Sequence, residues 1–383
     1  MAKLAKLTLE KQSRAVSAFL HEPDWLLQKR LEAVALLERR RGRAEVSGFK
    51  MDRGSMIVKT ECEGNAFVLP IGQALKKGNA LREQIEKPFT GNEPDSYLLS
   101  FALFTDANVV AIGAEGRSRA SVELSGKPPE YFATFFLFAD RSDSSVFVEK
   151  RLAASANECL CAIVGNDARA QICLLQQNGK TSRNETGTVA SLGKKTRLKI
   201  LESNLGGKEH CGQTVILQNG RGSRCENYEI CMAKGAQKFR KDMKHLHNAS
   251  ETYSRSVFKC ASSGKSRVNM DGNVIVGREA RGADTHFLVK GLLLQGKPVL
   301  RAVPRLSVQN SDVAAGHGTA IAPIDEDELF YLRSRGIDEN ESRRLVLQGF
   351  LTDALVKSGM DDWILEGVAR EIEKDARGAF AGE

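Results

Sequence analysis

Hydrophobic spacing changes twice along this chain and divides it into three zones. From Pro23 the apolar residues Leu27, Leu31 and Val34 share one face of a 3.6-residue repeat, while Gln28, Lys29, Arg30 and Glu32 lie elsewhere, which predicts a helix. Proline suits the first turn because its missing N–H has no partner there. Gly42 supplies a C-terminal stop. The stretch from Val46 to Asp95 is less regular, with Gly54, Gly64, Gly72 and Gly78 between charged residues, and predicts short strands and one short helix. From Ser96 to Val308 the pattern becomes many short strands separated by turn signals, such as Ser121–Leu124, Val146–Val148, Cys159–Val164, Ile172–Leu175, Thr214–Leu217 and Asn273–Val276.

Some positions in this strand-rich zone recur evenly. Val146, Cys159 and Ile172 stand 13 apart, as do Val148, Cys161 and Leu174, while Cys231, His245 and Cys260 follow at 14 and 15. A coil in which each strand stacks on its equivalent one rung away repeats apolar positions in this way. A sandwich of hairpins also spaces strands at about 8–12 residues, so spacing alone leaves both architectures open. Beyond it the helical pattern returns. Asp325 caps a start with Glu328 three residues on and Ile324 set to staple Leu329, and Gly336 ends that helix. Asp338 and Glu341 repeat the arrangement before Val346, Leu347, Phe350, Leu351, Ala354 and Leu355, which share one face up to Gly359. Asp361 opens a third helix with Ile364, Val368 and Ile372. The predicted organisation is a helical and mixed region over 1–95, a β core over 96–310 and a helical region over 311–383. The apolar stripes of the last region predict burial on the end of the coil or on a partner.

Composition narrows the class. The 383 residues are 42% hydrophobic and 27% charged, as in ordinary soluble domains, and no apolar run reaches membrane-spanning length. No secretory pattern is read at the start, which predicts a reducing, cytoplasmic setting for the eight cysteines. The formal net charge is +8, yet aromatics make up 6%, basic residues are interleaved with acids, and no nucleic-acid signature occurs. The densest basic cluster, Arg39–Arg41 with Arg43, ends a helix, where the dipole favours it. Neither nucleic acid nor membrane is an expected partner.

Candidate chemistry is sparse. Gly264-Lys265-Ser266 lacks the glycine five residues before Gly264, where Lys259 stands, so it is a turn rather than a phosphate loop. His210 and Cys211 are adjacent and therefore point to opposite strand faces, which makes a poor nucleophile pair. No Cys-x-x-Cys occurs. Cys159, Cys161, Cys173 and Cys62 lie in apolar or mixed strands and suit packing. Cys211, Cys225, Cys231 and Cys260 have charged neighbours that favour thiolates and ligation. With a rung of about 29 residues, Cys231 and Cys260 would stack on neighbouring strands and reach one cluster. His245 and His247 share a face and suit either ligation or structural hydrogen bonding. His317, between Gly316 and Gly318, is open to a turn or a ligand role.

Several segments resemble the SufB/SufD family of iron–sulfur cluster assembly proteins, in the family's own order. They are His21–Leu26 with Arg30–Ala33, Phe101–Asp106, Ser254–Val257, Gly264–Arg267, Asp271–Val276, Leu292–Leu294, Pro304–Leu306 and, most specifically, Asp312–Ile337. The resemblance implies a mainly β fold: a right-handed parallel β-helix core flanked by N-terminal and C-terminal α-helical segments. It implies a non-enzymatic scaffold, forming a homodimer or a SufB/SufD-type heterodimer through the β-helix. It also implies docking of the last helices, with Leu329, Phe330, Arg333, Arg335 and Phe350, on a SufC-like ABC-type ATPase, the partner that would use ATP. His317 matches the interfacial histidine of the SufD branch. Ala315 stands where that branch usually carries a cysteine, and Lys297-Pro298-Val299 where the SufB branch carries its scaffold cysteine. These departures point to a SufD-like companion or to the single scaffold of a compact SUF-like system. In the second case a 4Fe–4S or 2Fe–2S cluster is expected on Cys211, Cys225, Cys231 and Cys260, with Cys225, Cys231, Cys260 and His317 touching metal. The rivals are a β-helix enzyme acting on polysaccharide and an interaction protein without metal.

Overall fold

The computed structural model describes residues 8–41, 51, 54–74, 76, 83, 90–377 and 379–380. The expected stop at Gly42 and the glycine at 78 lie outside the described residues. Two helices open the described chain, α1 (Leu9–Leu20) and α2 (Asp24–Arg41). Then come β1 (Ser55–Glu63), β2 (Ala66–Pro70), the single turn α3 (Ile71–Ala74) and α4 (Asp95–Leu103).

The core is a coil of two facing sheets. One holds β1, β4 (Arg117–Lys127), β6 (Asp143–Leu152), β8 (Arg169–Gln176), β10 (Arg197–Asn204), β12 (Arg224–Ala233), β14 (Tyr253–Gly264), β16 (Ala283–Gly296) and β18 (Val313–Pro323), in that order. The other runs through β2, β3 (Asp106–Ile112), β5 (Tyr131–Phe138), β7 (Ala156–Val164), β9 (Arg183–Leu192), β11 (Glu209–Gln218), β13 (Lys238–His247), β15 (Arg267–Val276) and β17 (Val299–Val308). All neighbours are parallel except β1 on β4 and β2 on β3. The chain is thus a parallel β-solenoid with helices at its ends.

Register explains the even spacing seen in the sequence. A rung lengthens from 26 residues, where Arg117 pairs with Asp143, to 32, where Arg267 pairs with Val299. The 13-residue interval is therefore half a rung. Val146 stacks on Ile172 inside the coil, whereas Cys159 belongs to the opposite sheet, stacked between Ala133 and Gly187. Cys159 and Cys161 are fully buried, but under α4 on the outer face of that sheet, with Phe101, Phe104 and Phe135. Gly187 lets α4 lie this close, since a Cβ there would sit 2.2 Å from the Tyr97 nitrogen. One edge of the coil repeats a single corner. Arg141, Asp167, Lys195, Gly222, Glu251 and Gly282 all have positive φ, and each donates its N–H to a carbonyl of the following corner.

The last three helices are α5 (Glu326–Ser334), α6 (Glu339–Ser358) and α7 (Asp362–Arg377). Their caps form as expected: Asp325 accepts from the Asp327 N–H, Asp338 accepts from the Glu341 N–H, and Gly359 takes the left-handed conformation. Their stripes are covered neither by a partner nor by the end of the coil. Leu347, Leu351, Ile364, Val368 and Ile372 pack on Tyr228, Ile230, Met232 and Val257, on the outer side of the first sheet. Lys259 pins this lobe by donating to the Phe350 carbonyl (2.7 Å) and the Asp353 carboxylate. Asp361 pins it at the other end, accepting from Arg117 (2.6 Å), Ser145 (2.9 Å) and Gln171 (3.0 Å).

Candidate functional site

The coil ends at β17 and β18, the outermost strands of their sheets. His317 lies on β18 in the column of Asn227, Ser256 and Phe287, three buried inward-facing residues, and is itself exposed because no further rung covers it. Its neighbours Gly316 and Gly318 pair with His286 and Leu288 and leave a groove bordered by Tyr253, Arg255 and Asp284. The His286 imidazole lies 3.3 Å from the Asp284 carboxylate. Val299 and Val308, 47% and 44% exposed, add apolar surface at this end, as Ile57, Val58 and Phe67 do at the other.

The four cysteines expected to ligate as a set do not converge. Cys231 and Cys260 do pair in register, as their spacing predicts, but both are buried among Ala233, Phe239, Phe258 and Met270. Cys225 shares the inward face of β12 with Cys231, six residues away, which is about 20 Å along a strand and beyond the reach of one cluster. Cys211 lies on the other sheet, half-buried and facing outward between Glu185 and Arg240. Among the described residues no three His, Cys, Asp or Glu side chains gather as a metal site. The basic neighbours do not favour thiolates either. Burial pushes the thiols of Cys225 and Cys231 well up, and it lifts Cys211 to about 11, helped by Glu185. Strand alternation is the reason. Arg224 and Lys259 point out of the coil while Cys225 and Cys260 point in. His245 and His247 stack at 5.1 Å, and the hydrogen bonds of His245 Nε2 to Gln218 and of His247 to Thr252 and Ser254 support the structural reading.

Of the residues expected at the ATPase surface, Phe330 is 73% exposed, and Arg333 and Arg335 also face outward. Leu329 is 1% exposed and belongs to the lobe's own core, and Phe350 is half-buried beneath Lys259. Tyr331 and Val356, 58% and 75% exposed, join the outward side without having been singled out in the sequence.

A chain of buried charges inside the coil also escaped the sequence reading. Lys241 reaches from β13 to two carboxylates stacked in register, Glu202, which it contacts directly, and Glu229 at 3.0 Å. Asn204 donates to Glu229 at 2.7 Å. Burial pushes Glu229 up to about 8, because one ammonium offsets only one of the two charges, while Lys241 holds Glu202 low against its own burial. Burial and the nearby Lys241 push His210 down to about 3. Two rungs away Lys150 pairs with Glu158, which also accepts from Thr134 at 3.1 Å. Between the two groups lies a cavity of 30 Å³, room for about two waters. Gln176 Nε2, Glu202 Oε1 and His210 Nδ1, on residues lining it, have no hydrogen-bond partner among the described residues. The available signal was a pair of glutamates one rung apart, Glu202 and Glu229, in register on neighbouring strands.

Residues 129–350, more than half of the chain, match the family model described as SUF system FeS cluster assembly, SufBD core domain. An iron–sulfur cluster assembly SufBD family protein of Mycobacterium leprae is 25% identical over 271 residues, 67% of this chain and 69% of the relative. The iron–sulfur cluster assembly protein SufB of Bacillus subtilis is 28% identical over 154 residues, 40% of this chain and 33% of its own. A chloroplastic protein of Arabidopsis thaliana, ABCI7, is 27% identical over 202 residues, 52% and 42% of the two chains. The aligned stretch thus spans less than half the length of the last two relatives.

Proposed function

The chain belongs to the SufBD family of iron–sulfur cluster assembly proteins, and from that premise we propose that it is a scaffold subunit whose cargo is held at the open end of the coil and whose C-terminal lobe docks an ABC-type ATPase. The observation that carries the reading is the terminal rung. There His317 is exposed on β18 with Val299 and Val308 exposed on β17, while the thiols of Cys225, Cys231 and Cys260 are buried. One chain brings too few ligating groups together for a cluster. A second chain meeting it across β17 and β18, another copy or a SufB/SufD-type partner, supplies the rest. His317 binds iron as neutral imidazole, and the chain itself transforms no small substrate.

Docking of the ATPase falls to the outward side of α5 and α6, at Phe330, Tyr331, Arg333, Arg335 and Val356. Large exposed apolar side chains beside arginines are the usual anchors of a protein interface. The lobe's grip on the first sheet, through Lys259 and Asp361, carries strain from the motor into the coil.

Anaerobic reconstitution with ferrous iron and sulfide tests the cargo claim. His317→Ala abolishes the visible absorbance band, and Cys225→Ser leaves it intact. The opposite pattern returns the site to the interior thiols. Co-purification with an ABC-type ATPase tests the docking claim, and Phe330→Asp removes it. Retention of the ATPase by that variant and by a chain truncated after Ile324 refutes the assignment.

A further inference from the structure

Three arginines stand in one register column on the outer face of the first sheet. Arg169 pairs with Arg197, and Arg197 with Arg224, at the first position of β8, β10 and β12. Neighbouring strands are about 4.8 Å apart, so three guanidinium stems rise side by side. Like charges directly opposite on neighbouring strands destabilise a sheet. Several exposed charges on this coil find a counter-charge. Arg183 and Lys238 share Glu209, Arg240 pairs with Asp242, and Arg117 with Asp361. None of the three column arginines has an ion-pair partner among the described residues. Asp143, in register with Arg169, forms no bridge to it, and Arg224 lies over the Tyr253 ring at 5.1 Å.

The corner beside the column extends the same charge. Lys194 and Lys195 are exposed there, as are Arg221, which contacts the Glu251 carboxylate at 2.5 Å, and the acid Asp167, whose N–H donates to the Lys194 carbonyl. The far side of the column borders the C-terminal lobe, where Lys199 donates to the Gly359 carbonyl at 2.6 Å, at the corner between α6 and α7. A strip in which cations outnumber the acids Asp143, Asp167 and Glu251 thus runs along the edge of the coil next to the lobe.

We propose that this strip, Arg169, Arg197, Arg224, Lys194 and Lys195, is a docking surface for the acidic face of a partner protein. Guanidinium forks match carboxylates in paired hydrogen bonds, and a carboxylate row on the partner turns the repulsion of the column into attraction. Single-stranded nucleic acid is the lesser fit, because such sites interleave cations with stacking rings and only Tyr253, at the end of the column, offers one. The assignment stands on charge and register and is independent of the iron–sulfur reading.

Fluorescence anisotropy of a short labelled poly-L-glutamate peptide with the full chain tests it. The variant Arg169→Gln/Arg197→Gln/Arg224→Gln binds at least about tenfold more weakly, each exposed pair accounting for a factor of about two to five. Its thermal midpoint does not fall, because the substitutions remove repulsion. The control Arg183→Gln/Arg267→Gln, on the opposite sheet, changes binding by less than about twofold. Equal losses in the two variants, or no loss in the first, overturn the proposal by reducing the effect to net charge. Tighter binding of a single-stranded oligonucleotide of equal charge, lost in the first variant, overturns it in favour of nucleic acid.

Discussion

Lys241→Met removes the cation from the middle of the coil at nearly constant volume. Lys241 is 4% exposed, and it contacts Glu202 and Glu229, which are themselves 7% and 1% exposed. Breaking a buried ion pair by deleting one partner costs about 3–5 kcal/mol, because the remaining charge is left without water or counterion. Here two carboxylates are left facing each other in register. Protonation relieves them, so the cost is expected to depend on pH. The wild type already foreshadows this. Glu229 is pushed up to about 8 from 4.5, so the folded state holds a proton that the unfolded chain releases. A raised carboxyl stabilises fully below the unfolded value and loses that contribution as pH rises from about 4.5 to about 8. In the variant both carboxyls behave in this way. Chemical denaturation followed by circular dichroism is expected to show a loss of about 3–5 kcal/mol at pH 8 and clearly less at pH 5. A loss that is the same at both pH values, or below about 1 kcal/mol at pH 8, refutes the burial of this charge triad.

Arg30 is fully buried and donates to Glu22 (2.6 and 2.7 Å) and to the carbonyls of Phe101, Ala102 and Phe104 (3.1, 3.0 and 3.0 Å). Arg30→Met therefore frees α1 and α2 from α4, with a cost of about 3–5 kcal/mol that limited proteolysis reads as early cleavage before residue 41. In native protein an alkylating reagent followed by peptide mass mapping labels Cys62 and, more slowly, Cys211, whose thiol is pushed up to about 11, and it labels the other six cysteines only after unfolding. Prompt native labelling of Cys231 or Cys260 contradicts their burial. His247 is held neutral by burial, pushed down to about 4, so its contribution is complete above the unfolded value near 6.5 and fades as pH falls towards 4. His247→Gln flattens that acid limb in a stability–pH profile, and an unchanged limb argues against it.

Local signals were legible in the amino-acid order because they depend only on near neighbours. The caps at Asp325 and Asp338, the stop at Gly359 and the apolar stripes of α6 and α7 all stand where side-chain chemistry and helical spacing put them. The stacking of Cys231 on Cys260 was also legible, because a rung near 29 residues aligns them. The meaning of the 13-residue repeat was not. It links strands of opposite sheets, so Val146 faces the interior while Cys159 faces α4.

The four expected cysteine ligands fail to converge for the same reason. Charged neighbours in sequence suggested reactive thiols, but alternation along a strand sends a residue and its neighbour to opposite faces. The three-dimensional fold chose those faces, closing Cys225, Cys231 and Cys260 inside and leaving His317 open on the last rung. Glu202, Glu229 and Lys241 carry the point furthest. Nothing in their own strands marks them as interior, and their burial is tolerable only because the coil brings residues 202, 229 and 241 together. Chain order dictated the elements and their caps. Coiling dictated which charges meet and which thiols see water, because those outcomes depend on partners a rung or half a rung away.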